Sequence, residues 1–283
     1  PCQAGEPRLA PRLERTATTM PLTIAAHLDL FFPAPSEILL QIEAAHLPEQ
    51  PVLSASIFTT RTDHFARVPG QDGIGERIWM RCAGRFAIDY TATVAIERQL
   101  AEIERLEALP VYLLPGEAIP YLMDSAYCPA DRFRSQVEAQ FPGLRGGALI
   151  AAMRDWIRQH FTYAPGSSTA TTTALDSFVE RRGVCRDFAH VLITFARAAL
   201  IPARYASVYA PNVQPQDFHA VAEVFLADPE GAGGTWHLVD PTGMAVPGEM
   251  AKIAIGRDAA DASFLTNYAA MDLLAQRVSV SAD

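Results

Sequence analysis

The sequence predicts an α+β protein: an N-terminal, antiparallel, β-sandwich-like domain followed by a domain in which a buried helix packs on an antiparallel sheet. Three observations support this class. Residues 22–96 contain short alternating apolar and polar stretches separated by turn residues. Residues 188–200 are nearly all apolar, which is typical of a helix buried on most of its circumference. Three further strand-like stretches follow between residues 203 and 240. Strands that are followed by helices and strands in separate groups indicate an α+β protein.

The composition limits the possible functions. The chain has 283 residues, 49% of them hydrophobic, and a formal net charge of −9 with no run of Lys and Arg. We therefore expect neither nucleic acid nor an anionic membrane as a partner. No apolar run approaches the roughly 20 residues of a membrane helix, and the N-terminus lacks the apolar core of a secretory signal. The length suits two domains.

The four cysteines indicate a reducing compartment, and we expect a cytoplasmic protein. They are widely spaced and form neither a C-x-x-C pair nor a zinc-finger pattern with histidine. Neither an EF-hand loop nor a helical H-E-x-x-H motif is present, so we predict no metal and no cofactor. The residues concerned are Cys2, Cys82, Cys128 and Cys185.

The first 110 residues divide into a leader and a β-rich domain. Residues 1–19 are rich in Pro, Arg and Thr without a hydrophobic period, and we expect a disordered leader. The first methionine is Met20, so a natural start there is a hypothesis. Residues 20–110 form the β-rich domain, through which the protein could form oligomers. We predict strands over residues 22–30, 38–44, 57–60, 77–86 and 87–96, and turns over 32–36 and 68–73.

The second domain is predicted to span residues 111–283. A charged, helix-like connector from Ala101 to Leu114 precedes it and ends at Pro115-Gly116. From residue 251 onward the chain is expected to be helical or irregular. Helices are predicted over residues 131–140, 147–161 and 174–180, and strands over 203–209, 219–226 and 235–240.

The long apolar helix begins at Cys185, just after Gly183, and stops at Ile201-Pro202 because proline cannot continue a helix. The first turn of a helix carries unpaired backbone N–H groups and the positive end of the helix dipole. A cysteine at this position is favoured as a thiolate, which is the reactive form of a cysteine nucleophile.

A base and an orienting group follow along the chain. His219 opens one predicted strand and Asp240 closes the next, with a turn region between them from Pro229 to Gly234. If the two strands form a hairpin, these residues lie at the same edge of the sheet. Cys185, His219 and Asp240 are therefore candidates for a catalytic triad.

After the β-rich region comes Tyr127-Cys128-Pro129-Ala130-Asp131-Arg132-Phe133, and the two together resemble a bacterial branch of the transglutaminase-like superfamily that is described as candidate cysteine proteases. Four further motifs in this order resemble the superfamily itself, which has a papain-type fold. They are Gly183-Val184-Cys185-Arg186-Asp187-Phe188-Ala189-His190, Ile201-Pro202-Ala203-Arg204-Tyr205, His219-Ala220-Val221-Ala222-Glu223-Val224 and Trp236-His237-Leu238-Val239-Asp240-Pro241-Thr242. The resemblance covers about residues 150–245. It implies Cys185 as nucleophile, His219 as base and Asp240 as the group that orients the base. Val221 stands where family members usually carry Trp.

The implied activity is a thiol-dependent hydrolase or acyltransferase that attacks an amide of a peptide or protein substrate. The backbone N–H of Cys185 is one candidate oxyanion donor, and the Tyr163 side chain is a second, with a packing role as its alternative. The residues leave hydrolysis and amine transfer equally open. A non-catalytic module that uses the same fold to bind a peptide or protein is the alternative function.

Other polar residues near the motifs are expected to be structural. Buried inert thiols are expected for Cys82 and Cys128, and packing roles for His190 and His237. Arg181 and Arg182 are expected to form a solvated pair. Asp187 and Glu223 are expected to be buried hydrogen-bond partners, for instance of Arg204. Surface or packing roles are expected for His27, His46 and His64.

Overall fold

The computed structural model describes residues 21–228 and 233–282. The predicted leader, Cys2 and most of the predicted turn at 229–234 lie outside these residues. The described chain combines antiparallel sheets with four α-helices, which confirms the α+β class. The strands are β1 (Leu22–Leu40), β2 (Val52–Thr59), β3 (Phe65–Pro69), β4 (Glu76–Val94), β5 (Thr162–Tyr163), β6 (Arg182–Gly183), β7 (Ala203–Tyr209), β8 (His219–Ala227), β9 (Gly234–Val239), β10 (Ala251–Gly256), β11 (Leu265–Asn267) and β12 (Asp272–Ala282). The helices are α1 (Arg134–Gln140), α2 (Gly146–His160), α3 (Ala174–Glu180) and α4 (Cys185–Ala198).

Two long strands form the centre of a six-stranded sheet. β1 and β4 pair along their whole length, from Leu22 opposite Val94 to Leu40 opposite Ile78. β2 and β12 flank one half of this pair, and β3 and β11 flank the other half. The predicted turn over residues 32–36 is wrong, because this segment is an irregularity within β1. Its two prolines lie where the register shifts between Phe32 and Ser36, so their missing N–H groups are not needed there.

The C-terminal part of the chain is also β-structure, so the expectation of a helical or irregular tail is wrong. β10 pairs with β7, whereas β11 and β12 pair with β1. The tail is extended because Val278 and Val280 are buried on one face of the sheet, whereas Ser279 and Ser281, which alternate with them, face outward. The division of the chain at residues 110 and 111 stays a prediction.

The second sheet is antiparallel, with the order β10-β7-β8-β9. α4 packs against β7 and β8, and every residue of α4 from Asp187 to Ala198 is buried. A smaller apolar cluster joins Val208 and Leu238 of this sheet to Tyr121, which lies in a 3-10 turn before α1. The predicted helices over 147–161 and 174–180 are confirmed, and the one predicted over 131–140 consists of a 3-10 turn followed by α1.

The connector over residues 101–114 is not a helix and contains only short 3-10 turns at Ile103–Arg105 and Val111–Leu113. Two of its backbone carbonyl groups accept hydrogen bonds from other elements. The Leu106 carbonyl accepts one from the Gly147 N–H, and the Glu107 carbonyl accepts one from the Ala227 N–H. The connector thus joins α2 to the end of β8. Within the described ranges, no helix combines the length and the apolar character that crossing a membrane requires.

Candidate active site

Cys185 is the first residue of α4, and its side chain is partly exposed. The Asp187 carboxylate accepts a hydrogen bond from the Val184 N–H at 2.8 Å and thereby caps this end of the helix. Gly183 allows the close approach, because a Cβ at that position would lie 2.5 Å from the Asp187 Cβ. The thiol is therefore held where the helix dipole favours a negative charge.

His219 and Asp240 lie together at one edge of the second sheet. β8 and β9 are antiparallel neighbours, as the hairpin hypothesis required. His219 Nε2 lies 3.1 Å from Asp240 Oδ2, and the two residues are only 1% and 2% exposed. Their charges interact at short range away from water, where electrostatic interactions are stronger than at the surface.

Asp240 accepts several hydrogen bonds besides that of His219. Both the N–H and the hydroxyl of Thr242 donate to its carboxylate, at 2.8 and 2.7 Å, and the Ala245 N–H donates at 2.8 Å. The Arg158 guanidinium donates to the Asp240 backbone carbonyl at 2.8 Å. Burial opposes ionisation, but the hydrogen bonds and the charge of His219 outweigh it, so the pKa of Asp240 is lowered. The aspartate is fixed in position as an anion.

The imidazole of His219 interacts with both the Asp240 carboxylate and the Cys185 thiol. Its second nitrogen, Nδ1, is buried and makes no hydrogen bond to the residues that the structure describes. Burial would lower the pKa of His219, but the hydrogen bond to Asp240 and the interaction with the Cys185 thiol raise it to about 10. At neutral pH the imidazole therefore carries a proton and can stabilise a thiolate.

Tyr163 lies beside Cys185. The parallel pair of β5 and β6 sets Tyr163 opposite Gly183, two residues before the cysteine. Burial and the charge of Cys185 raise the pKa of the Tyr163 hydroxyl. A hydrogen bond from the Cys185 backbone lowers this pKa, but by a smaller amount, so the net shift is upward. The hydroxyl thus remains a neutral donor close to both the thiol and the backbone N–H of Cys185.

Cys185 and His219 line one cavity of about 280 Å³. Small side chains form much of its wall, including four alanines, and polar groups from Asp217, Arg186 and Tyr205 also face it. Sequence reasoning assigned no role to Asp217 or Tyr205. A cavity of this size can hold one or two amino-acid residues of a substrate.

The structure corrects some expectations about the surrounding residues. Arg181 and Arg182 do not form a solvated pair: the Arg181 guanidinium lies over the rings of Phe178 and Trp156, at 4.0 and 4.6 Å from their centroids. Arg182 is exposed and pairs with Glu180. The difference arises because Arg181 has a left-handed backbone, with a φ of 56°, at the end of α3.

Buried polar residues act as hydrogen-bond partners. Glu223 pairs with Arg204 at 2.7 Å, as expected, and also with Lys252 at 2.6 Å. Asp187 is buried too, but its partners are Ser168, Arg186 and the helix N-terminus instead of Arg204.

Several predicted structural residues are found in the surroundings that were expected for them. His190 is fully buried, accepts a hydrogen bond from the Ala259 N–H and stacks on Tyr127. Cys82 and Cys128 are buried, and burial raises the pKa of each thiol to about 12. His237 is partly buried, while His46 and His64 are exposed.

Thr242 and Arg158 are two further residues at this site that sequence reasoning missed. Thr242 belongs to the motif Asp240-Pro241-Thr242, and a hydroxyl two residues after an aspartate is a recognisable turn signal. Arg158 lies 82 positions before Asp240 and gave no local signal. No group of three or more His, Cys, Asp or Glu side chains within 21–228 and 233–282 is arranged to hold a metal ion.

Comparisons with known proteins agree with this fold. Residues 143–241 match the transglutaminase-like superfamily. The crystal structure of a protein from Cytophaga hutchinsonii, described as a putative cysteine protease, is similar to this chain with a TM-score of 0.85 and 30% sequence identity. That similarity covers 94% of this chain and 91% of the other.

Curated relatives match over shorter lengths. An uncharacterized protein of Mycobacterium leprae is 32% identical over 120 residues, covering 40% of this chain and 41% of its own length. An uncharacterized protein of Mycobacterium tuberculosis is 32% identical over 126 residues, covering 40% of each chain. The match therefore spans about two fifths of these relatives.

Proposed function

We propose that this chain, which belongs to the transglutaminase-like superfamily, is a thiol-dependent amide hydrolase or acyltransferase that acts on a peptide or protein through Cys185, His219 and Asp240. The observation that carries the proposal is the buried contact of 3.1 Å between His219 and Asp240, with His219 sharing a cavity with the Cys185 thiol. A nucleophile, a base and an orienting group in contact are the requirements of nucleophilic catalysis.

The first half-reaction forms a thioester. The Cys185 thiolate, stabilised by the His219 imidazolium, attacks the carbonyl carbon of the amide. The negative charge that develops on the carbonyl oxygen is stabilised by the backbone N–H of Cys185 and the Tyr163 hydroxyl, for which their mutual proximity is the support. His219 then gives its proton to the leaving amine, and the C–N bond breaks.

The second half-reaction releases the acyl group. His219, now neutral, takes a proton from water or from an acceptor amine, which attacks the thioester carbonyl. Water gives a carboxylic acid, and an amine gives a new amide; in both cases the sulfur leaves as a thiolate. Asp240 keeps the imidazole oriented throughout, because its hydrogen bonds to Thr242 and Ala245 fix the carboxylate.

Thiol labelling tests the first requirement of this mechanism without a known substrate. We expect iodoacetamide near pH 7 to alkylate Cys185 much faster than Cys82 or Cys128, as read by mass spectrometry of peptide fragments. The two other thiols serve as internal controls because both are buried with raised pKa values. Equal rates at all three cysteines would contradict an activated thiol at Cys185.

Turnover distinguishes the two reactions. A library of peptide amides is incubated with the enzyme, with and without a primary amine, and the products are identified by mass spectrometry. Cys185→Ala and His219→Ala are each expected to abolish turnover, and the double variant to lose no more than either single one. Activity retained in Cys185→Ala would exclude Cys185 as the nucleophile, whereas a wild type that turns over no peptide amide would favour the alternative of a binding module.

A further inference from the structure

We propose that Asp217 is a specificity-determining residue that binds a cationic amine of the substrate, so that the enzyme prefers peptides with an ammonium group next to the amide attacked by Cys185. This inference rests on the proposed function and adds a substrate class to it. Asp217 shares the cavity with Cys185 and His219. It lies two residues before His219, which is the first residue of β8.

Burial raises the pKa of the Asp217 carboxylate and the charge of nearby His219 lowers it, but no cation among the described residues forms an ion pair with it. One of its oxygens, Oδ1, accepts hydrogen bonds from the Phe218 N–H at 2.7 Å and from the Gln276 side-chain amide. Within 21–228 and 233–282, no Lys, Arg or His lies within ion-pair distance of it. Because the group is half-buried, its charge is poorly solvated, and an ammonium group in the cavity would compensate this cost.

The other charged group in the cavity wall is engaged elsewhere. The Arg186 guanidinium donates to the Ser168 hydroxyl at 2.5 Å and to the Thr169 carbonyl at 2.6 Å, and it also contacts Asp187. These bonds engage the guanidinium with residues other than Asp217. The His219 imidazolium has its own anion in Asp240 at 3.1 Å. The cavity therefore contains a carboxylate whose charge is left for a ligand.

The position of Asp217 is fixed by the C-terminal strand. Gln276 of β12 donates to the Asp217 carboxylate. The adjacent Gln216 side chain pairs with the backbone of Val280, donating to its carbonyl at 3.0 Å and accepting from its N–H at 2.6 Å. A preorganised carboxylate loses little conformational entropy when it binds an amine, which favours a selective site.

The test compares three methanethiosulfonate reagents, whose transfer of a group to a thiol requires no knowledge of the substrate: aminoethyl (cationic), methyl (neutral) and sulfonatoethyl (anionic). Rates at Cys185 are measured by mass spectrometry and divided by the rates for a free small thiol. We expect the corrected ratio of cationic to neutral rates to fall about tenfold in Asp217→Asn, because one charge-assisted contact is lost. Asn preserves the acceptor oxygen, and Asp217→Glu, which preserves the charge, should retain most of the ratio.

Asp63→Asn is the matched control, because it removes one exposed carboxylate outside the cavity. It should leave the ratio unchanged. An equal ratio in wild type and Asp217→Asn overturns the inference while leaving the proposed function intact. A Cys185 that reacts slowly with all three reagents contradicts the proposed function instead.

Peptide amides then identify the source of the amine. Three peptides are compared in wild type and Asp217→Asn: an acetylated neutral peptide, the same peptide with one lysine, and the neutral peptide with a free N-terminus. If the wild type turns over the lysine peptide faster than the neutral peptide and Asp217→Asn does not, the amine that Asp217 binds is a side-chain amine. If the same holds for the peptide with a free N-terminus, that amine is an α-amine. Equal turnover of all three by the wild type overturns the inference.

Discussion

Replacing Asp240 by asparagine removes one negative charge from a buried pair while preserving the shape of the side chain. At 3.1 Å and an effective dielectric constant of about 20, a carboxylate and an imidazolium attract each other by about 5 kcal/mol. Since one pKa unit corresponds to about 1.4 kcal/mol, this interaction is equivalent to roughly four pH units. That value is close to the rise of the pKa of His219 from 6.5 to about 10, a net effect in which burial lowers the pKa while Asp240 and the Cys185 thiol both raise it.

In Asp240→Asn we therefore expect the pKa of His219 to fall below about 7, because burial continues to disfavour the imidazolium. Titration of the imidazole by nuclear magnetic resonance measures this directly. Alkylation of Cys185 at pH 7 should slow roughly tenfold with the loss of the imidazolium that stabilises the thiolate. A pKa of His219 that stays near 10 in the variant would refute the electrostatic argument.

Asp258→Asn is the control for this experiment. Asp258 is also a buried carboxylate that accepts backbone hydrogen bonds, from Tyr127 and Ala260, but it makes no contact with His219. Its substitution should leave the pKa of His219 unchanged.

The pair of His219 and Asp240 makes the free energy of unfolding depend on pH. The folded-state pKa of His219 is higher than the unfolded value, so its contribution is complete below about pH 6.5 and is lost as the pH rises toward 10. The free energy of unfolding should decrease over this range more in the wild type than in Asp240→Asn, as measured by urea denaturation.

Three further predictions concern stability and can be measured by denaturant unfolding. Gly183→Ala should cost about 2–3 kcal/mol, because the new Cβ would approach a buried carboxylate, whereas Gly116→Ala, with open space around it, should be nearly neutral; equal effects would contradict the packing argument. Arg181→Ala should cost about 1–2 kcal/mol through lost ring contacts, and Arg182→Ala less than about 0.5 kcal/mol; the reverse order would exclude this assignment. Glu223→Gln should cost about 3–5 kcal/mol, because two buried cations lose their anion. The pKa of Glu223 is about 2 despite burial, since the two cations lower it, so the wild type should lose stability as the pH falls from 4.5 toward 2 and the variant much less; parallel acid curves would refute this.

Much of the second half of the chain could be predicted because its signals are local. The apolar stretch after Cys185 predicts a buried helix, and the short, largely apolar runs that begin at His219 and end at Asp240 predict strands because turn residues separate them. Two elements that bring these residues together are thus encoded in short segments. The roles of Arg158 and Gln276 could not be predicted, because they depend on contacts between residues far apart in the sequence.

The N-terminal sheet was harder to predict for a physical reason. Pro33 and Pro35 indicate a turn when they are read locally, but pairing with β4 on one side and with β11 and β12 on the other keeps the chain extended through an irregularity. Strand signals in the tail were present in the alternation of valine and serine from Val278 to Ser281. Four alternating residues are too few to predict a strand by themselves, and they identify one only when the partner strand, here β1, is known.

The pairing of β1 with β12 determines when the reactive centre can be completed during synthesis. These are the first and last described strands, and the ribosome produces the second of them more than 200 residues after the first. Until residues 276–280 have emerged, the loop before His219 lacks its support from Gln276 and Val280. Closing so long a loop is entropically costly and slow. The wall of the cavity that Cys185 lines can therefore be completed only after residues 276–280 have left the ribosome, whereas Cys185 and α4 are synthesised earlier.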